Sequence, residues 1–270
     1  MGRLYVVGTP IGNLEDITLR ALRVLKEASL IAAEDTRRAG ILKRRYEIRT
    51  PTTSYFEGNK LTKLETVLSA LDAGDVALIS EAGMPGLSDP GYELIQAAIE
   101  RGYDVVPIPG PTAPVTALVV SGLPTDEFRF VGYLPRRAGK RRELLERLAR
   151  ESTTLVAFET PHRLLESLEE IAAVLGDRPL ALCREMTKMH EEIWRGTVRE
   201  AQAVFTEREP RGEFTLVIGG VREDEQRWDE DHVREALRDL LDKGIRRPDA
   251  AKRVAELSGW DRGVVYKLGL

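Results

Sequence analysis

The chain has 270 residues, of which 42% are hydrophobic and 31% are charged, so it is a globular protein of one or two domains and not a fibrous or disordered chain. Its formal net charge of −4 argues against a non-specific nucleic-acid coat, and none of its apolar runs approaches the roughly 20 residues that span a bilayer. Because it has one cysteine and three histidines, and its opening stretch MGRLYVVGTP leads directly into a strand pattern, we expect no disulfide framework, no metal, no secretory signal and a cytoplasmic location.

The first part of the chain alternates between strand and helix patterns. In chain order these patterns are LYVVG (strand), DITLRALRVLKEA (helix), LIAAED (strand), NKLTKLETVLSALDAG (helix), DVALIS (strand), GYELIQAAIERG (helix) and DVVPIPG (strand). Strands that alternate with helices at this spacing need crossover connections, which indicate a mostly parallel sheet. We therefore predict an N-terminal α/β domain over residues 1–122.

The pattern changes at SGLPTDEFRFVGYLP, which contains two prolines and two glycines. The elements predicted after it are ELLERLAR (helix), TTLVAFE (strand), HRLLESLEEIAAVLG (helix), PLALCRE (strand), TVREAQAVFTE (helix) and FTLVIGG (strand). This order predicts a second α/β domain with a mixed sheet over residues 123–221. The chain then becomes acidic and afterwards helical, which predicts a small helical extension over residues 222–270.

Three loops rich in glycine and proline follow strands of the first predicted sheet: GTPIGN at 8–13, SEAGMPGLSDPG at 80–91 and PGPTA at 109–113. Ligands of open α/β sheets bind beyond the carboxyl ends of the strands, where all three loops lie. Glycine removes the Cβ atom that holds a ligand away from the backbone, and proline stiffens the loop. Each loop alone has an ordinary tight connection as its alternative, but together they predict a small-molecule site. The spacing matches neither the dinucleotide nor the P-loop glycine pattern.

Basic residues cluster in three places in this net-acidic chain: residues 36–50, the stretch RRAGKRR at 136–142, and the segment after residue 243. A solvated surface is the alternative for any one cluster, whereas three of them together favour a polyanionic partner. The candidate contact residues are Arg37, Arg38, Arg44, Arg45, Arg136, Arg137, Lys140, Arg141, Arg142, Lys252 and Arg253.

Eight motifs carry a resemblance to a known family: VGTPIGNLEDITLRAL, AEDTRR, SEAGMPGLSDPG, PGPTA, SGLPTDEFRFVGYLP, ETPHR, REMTKMHEE and RGEFTLVI. Over residues 3 to about 220 the chain closely resembles the ribosomal RNA small-subunit methyltransferase I family, a branch of the tetrapyrrole-methylase-like (class III) methyltransferases. The resemblance implies two α/β domains of tetrapyrrole-methylase type, with S-adenosyl-L-methionine in the cleft between them, and a homodimer. It also implies 2′-O-methylation of the ribose of a decoding-centre cytidine in 16S rRNA, within the small ribosomal subunit. The basic residues and the helical extension then become candidates for RNA binding.

The resemblance assigns cofactor contacts, motif by motif, to residues of both domains. They are Pro10, Ala82, Gly83, Met84, Leu87, Thr112 and Ala113 from the three loops, and Glu159 and Met186 from the second domain. The family loop commonly reads Ser-Asp-Ala-Gly-Thr-Pro, whereas this chain has Glu81 and Met84 at the Asp and Thr positions. Because Met84 has no hydroxyl group, we expect its side chain to pack against the adenine or the methionyl chain instead.

A ribose hydroxyl is a poor nucleophile, so a positioned carboxylate, lysine or histidine is a candidate for taking its proton. The catalytic candidates are Glu159, Glu185 and Lys188, and a structural ion pair is the alternative for the last two. The sequence contains no recognisable catalytic dyad. Our hypothesis is therefore that alignment of the hydroxyl with the methyl donor dominates catalysis, and that any base contributes about 10²–10⁴-fold.

Three further residues have both a functional and a structural interpretation. His162 is predicted to face the same cleft, with capping of the following helix as its alternative. Asp35 is predicted at the ligand edge of the first domain, with a solvated loop as its alternative. Asp89 is expected to cap the next helix and to hold its loop.

Two other functions stay open at this point. One is a methyltransferase of the same superfamily that acts on a tetrapyrrole precursor or on diphthamide. The other is a ribosome assembly factor that binds RNA, keeps a degenerate cofactor pocket and performs no chemistry.

Overall fold

The structure, a computed structural model, describes residues 2–221 and 230–268. Within this part of the chain, the helices and strands form two five-stranded sheets and a group of three C-terminal helices. The predicted start of the helical extension, at residue 222, lies outside the described residues.

The first sheet is parallel throughout. Its strand order is β3-β2-β4-β1-β5, which confirms the predicted parallel α/β arrangement. The elements that build it are, in chain order, β1 (Arg3–Val7), α1 (Leu19–Glu27), β2 (Leu30–Ala33), α2 (Thr36–Arg45), β3 (Thr52–Ser54), α3 (Lys60–Ala73), β4 (Val76–Ile79), α4 (Tyr92–Glu100), β5 (Asp104–Ile108) and α5 (Ala113–Ser121).

Helices cover both faces of the first sheet. Side chains of alternate residues along a strand point to opposite faces. Ala77 and Ile79 of β4 accordingly pack with α1 and α2, whereas Val76 and Leu78 pack with α3 and α4. Burial on both faces explains why these short strands are apolar along their whole length.

The sequence patterns did not predict α2 and β3. The stretch that forms α2, TRRAGILKRR, is dominated by basic residues and contains a glycine, so its helical pattern is weak. Asp35 starts this helix, because its Oδ1 accepts hydrogen bonds from the backbone N–H groups of Arg37 (2.7 Å) and Arg38 (3.4 Å). Strand β3 is only three residues long and lies at the edge of the sheet.

The second sheet is mixed, as the sequence predicts. Its strand order is β6-β7-β10-β8-β9, in which only the β6–β7 pair is parallel. Strand β9 was not predicted. The elements are β6 (Phe128–Tyr133), α6 (Ala138–Leu148), β7 (Thr154–Glu159), α7 (Leu164–Leu175), β8 (Pro179–Arg184), β9 (Glu192–Thr197), α8 (Val198–Glu207) and β10 (Phe214–Ile218).

Helix α5 joins the two halves of the molecule. It follows the last strand of the first sheet, yet its buried residues Ala117 and Leu118 pack on Val156, Ala181 and Val217 of the second sheet. Helices α6, α7 and α8 cover the other face of that sheet. The domain limits at residues 122 and 221 stay predictions.

The C-terminal helices have a small apolar core of their own. They are α9 (Glu230–Asp242), α10 (Arg247–Ser258) and α11 (Arg262–Leu268). Val233 and Leu237 of α9 are buried against Ala250 and Val254 of α10 and Val265 of α11. No described helix combines the length and apolar character that crossing a membrane requires.

Candidate functional site

The three glycine-rich loops meet at one edge of the first sheet. The strands that precede them, β4, β1 and β5, are neighbours, and parallel strands present their carboxyl ends at the same edge. The first two loops are joined by a pair of backbone hydrogen bonds, from Thr9 N to Gly83 O (2.9 Å) and from Gly83 N to Thr9 O (3.0 Å). These loops therefore form one connected surface.

Glycine at two loop positions lets these backbones touch. A Cβ atom on Gly8 would lie 2.8 Å from the Cα of Gly110 and 2.8 Å from the Sδ of Met84, and a Cβ atom on Gly110 would lie 2.8 Å from the carbonyl oxygen of Gly8. From the sequence, glycine in these loops is expected to admit a ligand. At Gly8 and Gly110 the structure shows instead that the neighbouring loop takes the space.

A cavity of about 190 Å³ lies between this edge and the second sheet. The second sheet contributes the ends of β7, β8 and β10 and the turn after β8. Of the nine predicted cofactor contacts, eight line the cavity: Ala82, Gly83, Met84, Leu87, Thr112, Ala113, Glu159 and Met186. The structure thus brings the predicted residues of both halves together around one space.

Pro10 is the exception among the predicted cofactor contacts. It does not line this first cavity but a second one of about 510 Å³, which lies on the α2 side of the β1 loop. Pro10 therefore does not line the same cavity as the other eight residues, and its contact with the cofactor stays a prediction. The two cavities have five lining residues in common: Ile11, Glu81, Ala82, Lys188 and Glu213.

The Glu159 carboxylate is fully engaged within the protein. Its Oε1 lies 2.5 Å from Arg163 Nη2 and accepts a hydrogen bond from the backbone N–H of Thr160 at 2.7 Å. Its Oε2 accepts a hydrogen bond from Ser167 Oγ at 2.5 Å, and the side chain has no exposed surface. The carboxylate holds the start of α7 against the end of β7, and its ion pair and lack of exposed surface do not favour a role as the base that takes a substrate proton.

Glu185 and Lys188 form an ion pair, which is the structural role expected from the sequence as the alternative to catalysis. Lys188 Nζ lies 2.9 Å from Glu185 Oε1 and 2.8 Å from Glu213 Oε2. Partial burial opposes the charge of both groups, but hydrogen bonds with each other and with Glu213 outweigh it, so the pKa of Glu185 is lowered and the pKa of Lys188 is raised. Lys188 is therefore a fixed cation at the wall of both cavities, suited to stabilise a developing oxyanion and not to act as a base.

The turn that carries this pair has an unusual backbone. Glu185 and Thr187 have φ angles of 47° and 67°, in the left-handed region that non-glycine residues rarely adopt. The turn also contacts the first loop, because Thr187 Oγ1 accepts a hydrogen bond from Asn13 N at 3.0 Å. A Cβ atom on Gly12 would lie 2.6 Å from both Lys188 Cγ and Thr187 Oγ1, so this glycine is needed for the approach. Backbone strain of this kind is typical of functional sites.

Acidic side chains gather at the other wall of the first cavity. Burial, reinforced by the neighbouring carboxylates of Glu34 and Glu81, raises the pKa of Asp89 to about 7, against a weaker opposing effect of a hydrogen bond with Ser80. Burial likewise raises the pKa of Glu34. Asp89 does not cap the next helix as expected, since the N-cap of α4 is Gly91 and no side chain makes a capping hydrogen bond there. Asp89 instead faces the cavity.

Sequence reasoning missed much of the lining that the second sheet supplies. The missed residues include Tyr133, Phe158, Cys183, Glu213, Phe214 and Thr215. Burial raises the pKa of the Cys183 thiol to about 11, which leaves it an inert apolar group. The position of Phe158 and Phe214 at strand ends beside predicted residues was the available signal, but strand pairing was needed to place them.

Two of the remaining candidates lie outside the cavities. His162 is exposed in a short 3₁₀ turn (Pro161–Arg163) and lines neither cavity. Asp35 serves as the cap of α2. Neither side chain is placed for chemistry in the first cavity.

Most of the predicted polyanion contacts are exposed cations. Ten are exposed: Arg37, Arg38, Arg44, Arg45, Arg136, Arg137, Lys140, Arg142, Lys252 and Arg253. Arg141 corrects the prediction, because only 2% of its surface is exposed. Its guanidinium group is paired with Glu170 and lies 3.5 Å from Glu166 Oε2, so it ties α6 to α7 and is not available to a phosphate.

The first cavity combines two kinds of surface. Carboxylates of Glu81, Asp89 and Glu213 attract a cationic ligand, while the side chains of Met84 and Phe158 offer apolar faces to a flat ring. The arrangement suits a small organic cation with an aromatic part. Among residues 2–221 and 230–268, no group of three His, Cys, Asp or Glu side chains is placed to hold a metal ion.

Comparisons with known proteins identify the family. The chain matches Tetrapyrrole (Corrin/Porphyrin) Methylases over residues 3–202. A relative from Synechocystis sp., described as "Ribosomal RNA small subunit methyltransferase I", is 46% identical over 100% of this chain and 98% of its own length. The chain belongs to the ribosomal RNA small subunit methyltransferase I family. The family resemblance predicted from the motifs is therefore confirmed, and the chain is a methyltransferase.

The family also includes a shorter protein. A Thermotoga maritima relative with the same description is 48% identical and matches 82% of this chain over 99% of its own length. Members of the methyltransferase I family therefore do not all extend over the full length of this chain. Helices α9, α10 and α11 lie beyond the 3–202 segment that matches the tetrapyrrole methylases.

A solved structure shares the fold of this methyltransferase. Uroporphyrin-III C-methyl transferase from Thermus thermophilus, complexed with S-adenosyl homocysteine, superposes with a TM-score of 0.57 and 23% identity, over 81% of this chain and 97% of the other. At this identity the likeness shows the fold alone. It confirms the prediction of two α/β sheets of tetrapyrrole-methylase type.

Proposed function

We propose that this chain transfers a methyl group from S-adenosyl-L-methionine to the ribose 2′-oxygen of a decoding-centre cytidine in 16S rRNA, within the small ribosomal subunit. The observation that carries the proposal is the first cavity, which lies at the strand ends between the two sheets. It occurs in a chain that matches an rRNA methyltransferase over its full length. The carboxylates of this cavity fit the sulfonium and ammonium charges of the cofactor, and its apolar side chains fit the adenine ring.

When bound, the cofactor would supply an activated methyl group, with S-adenosylhomocysteine as the leaving group, and the proton of the ribose hydroxyl would pass to solvent. The side chains at the wall of both cavities then have clear tasks. Lys188, a fixed cation, stabilises negative charge that develops on the ribose oxygen. Ile11 and Ala82 exclude water from the reacting atoms. Since Glu159, Glu185 and Lys188 are all committed to ion pairs, the arrangement supports catalysis dominated by alignment.

RNA is the partner that the exposed cations support. Six of them lie on α2 and at the start of α6: Arg37, Arg38, Arg44, Arg45, Arg136 and Arg137. We place the reaction in the cytoplasm, where small subunits are available. A homodimer is also part of the proposal, supported by Val115 and Val119, which lie one turn apart on α5 and expose 45% and 65% of their surfaces. Sedimentation of the protein at several concentrations measures this association.

The substrate is tested by offering cofactor with a tritiated methyl group to free 16S rRNA, to small ribosomal subunits and to a porphyrinogen. We expect label in the small subunits, on the ribose of a single cytidine. Label in the porphyrinogen would assign the chain to tetrapyrrole chemistry. Absence of label in all three, together with no heat on titration with the cofactor, would assign it to the non-catalytic assembly factors.

The same assay tests the catalytic candidates under single-turnover conditions. Glu159→Ala, Glu185→Ala and Lys188→Ala should each lower the rate by no more than about 10⁴-fold, the range of a general base or an electrostatic contact. Affinity for S-adenosylhomocysteine, measured by calorimetry, controls for folding. A loss of more than about a million-fold from one substitution, with that affinity intact, would contradict alignment-dominated catalysis.

A further inference from the structure

Apart from Pro10 and Ala82, the second cavity is lined by residues that are not among the predicted cofactor contacts. It lies at the carboxyl end of β1 and beneath α2. Its apolar side is formed by Leu14, Ile41 and Leu42 together with Pro10 and Ile11, and its polar side includes Arg38, Ser80 and Glu81. It therefore offers aliphatic side chains beside a cation, so that the base and the phosphate of one nucleotide could each find a partner there.

The wall between the two cavities is shared. Glu81, Lys188 and Glu213 line both, as do Ile11 and Ala82. Transfer of a methyl group requires the acceptor atom to lie about 3–3.5 Å from the methyl carbon, so the acceptor must occupy space that joins the cavity of the donor. The cationic groove on the outer side of α2 and the groove at the start of α6 share no lining residue with the first cavity.

We propose that the second cavity binds the acceptor nucleotide of the RNA, turned out of its strand, with the ribose at the shared wall and the base among the apolar side chains. This assignment rests on the proposed function. Taking a nucleotide out of its stacked neighbours costs a few kcal/mol, and contact of its base with the apolar side chains of this cavity would offset that cost.

Arg38 is placed to hold the phosphate of this nucleotide. Its Nε lies 2.7 Å from Glu81 Oε1, and both side chains are largely exposed, so the ion pair between them is weak. A phosphate competes well for a guanidinium group because it accepts two hydrogen bonds from it. If Arg38 bound the phosphate in place of Glu81, it would hold the nucleotide in the cavity. The Glu81 carboxylate at the shared wall would then be released from its ion pair.

The two faces of α2 give the RNA strand a path into the cavity. Arg38, Ile41 and Leu42 follow helical spacing and line the second cavity. Residues on the next face of the helix, Lys43 and Arg44, line the cationic groove outside it. The strand that carries the nucleotide would then follow the groove while the nucleotide itself enters beneath the helix.

Filling the cavity tests the assignment. Ile41 exposes 49% of its surface and is not a core residue, so Ile41→Trp and Ile41→Glu should leave the fold intact. We expect single-turnover methylation of small ribosomal subunits to fall by at least about 100-fold, the cost of displacing a substrate by about 1 Å. Affinity for S-adenosylhomocysteine should stay at the wild-type value. The matched control is Ile99→Trp. Ile99 is 60% exposed and lies on α4, which covers the opposite face of the first sheet, so this variant should keep the wild-type rate.

Each outcome decides the proposal. Wild-type rates in both Ile41 variants would overturn it, and so would loss of S-adenosylhomocysteine binding in both, because the cavity would then belong to the cofactor site. A wild-type protein that does not methylate small subunits would overturn the proposed function and this assignment together. An active wild-type protein with active Ile41 variants would overturn the assignment alone.

Discussion

At the scale of single residues, burial decides which ionisable groups remain available for chemistry. Glu159 is a good candidate by its position at a strand end, yet its side chain is buried and its carboxylate is bound by Arg163, Thr160 and Ser167. Asp89 differs from Glu159, because burial and nearby carboxylates raise its pKa to about 7. Its carboxyl group is therefore about half-protonated at neutral pH. A carboxyl group of this kind is costly for the folded state and is retained where a site needs it.

The raised pKa of Asp89 predicts a pH-dependent stability. Between the ordinary pKa of 3.8 and the folded-state value of about 7, the folded protein holds a proton that the unfolded chain releases, so this group lowers stability as pH rises through that window. Asp89→Asn removes the titration. We expect the melting temperature of the variant, relative to wild type, to increase between pH 4.5 and pH 8 by a few degrees, since roughly 1 kcal/mol corresponds to about 2–4 °C in a chain of this size. Thermal unfolding at the two pH values measures it, and a constant difference would contradict the raised pKa.

At the scale of elements, helix contacts are fixed by charges as well as by apolar side chains. Arg141 lies on α6 within a basic stretch, but it is turned inward and paired with Glu170 of α7. Its neighbour Arg142 is exposed and pairs with Glu146 along the same helix at 3.0 Å. These adjacent arginines thus have different roles: Arg141 holds α6 on α7, whereas Arg142 belongs to the exposed basic surface.

These two arginines form a matched pair for mutation. Arg141→Ala leaves the Glu170 carboxylate without its buried partner, and breaking a buried pair from one side costs about 3–5 kcal/mol. Arg142→Ala removes only an exposed pair within one helix, which is worth about 0.3–0.5 kcal/mol. Urea unfolding of both variants measures the difference. Equal losses of stability would show that Arg141 does not hold α6 against α7.

At the scale of the whole molecule, the first cavity lies where residues of the two sheets meet. Helix α5 packs on the second sheet, and Asn13 N donates a hydrogen bond to Thr187 Oγ1 in the turn after β8. The C-terminal helices stand apart from this arrangement, since they build a core from their own residues. Two of their cations, Lys252 and Arg253, are exposed to solvent on α10.

Charge reversal on α10 tests whether this unit contacts RNA. Lys252→Glu combined with Arg253→Glu should weaken binding of small ribosomal subunits and reduce its salt dependence, by about 0.7–0.9 in the logarithmic slope for each phosphate that the variant no longer neutralises. Filter binding at several salt concentrations measures both quantities. Affinity for S-adenosylhomocysteine should not change, because α10 contributes no residue to the first cavity. If the variant showed the same dependence of the logarithm of the binding constant on the logarithm of salt concentration as wild type, α10 would not be part of the RNA-binding surface.

The sequence by itself determined the alternation of strands and helices, the loops at the strand ends and the family, because periodicity, turn residues and motifs are local properties. It missed α2, β3 and β9, whose local patterns are weak, and α5, which is apolar on all sides and has no helical periodicity. It identified the eight cofactor candidates that line one cavity only through the family resemblance. The tertiary structure alone decided that Arg141 is buried, that Glu159 is engaged, that the pKa of Asp89 is raised to about 7 and that a second cavity lies beside Pro10. Each of these depends on residues far apart in the chain, and a charge or a cavity is defined by what surrounds it in space.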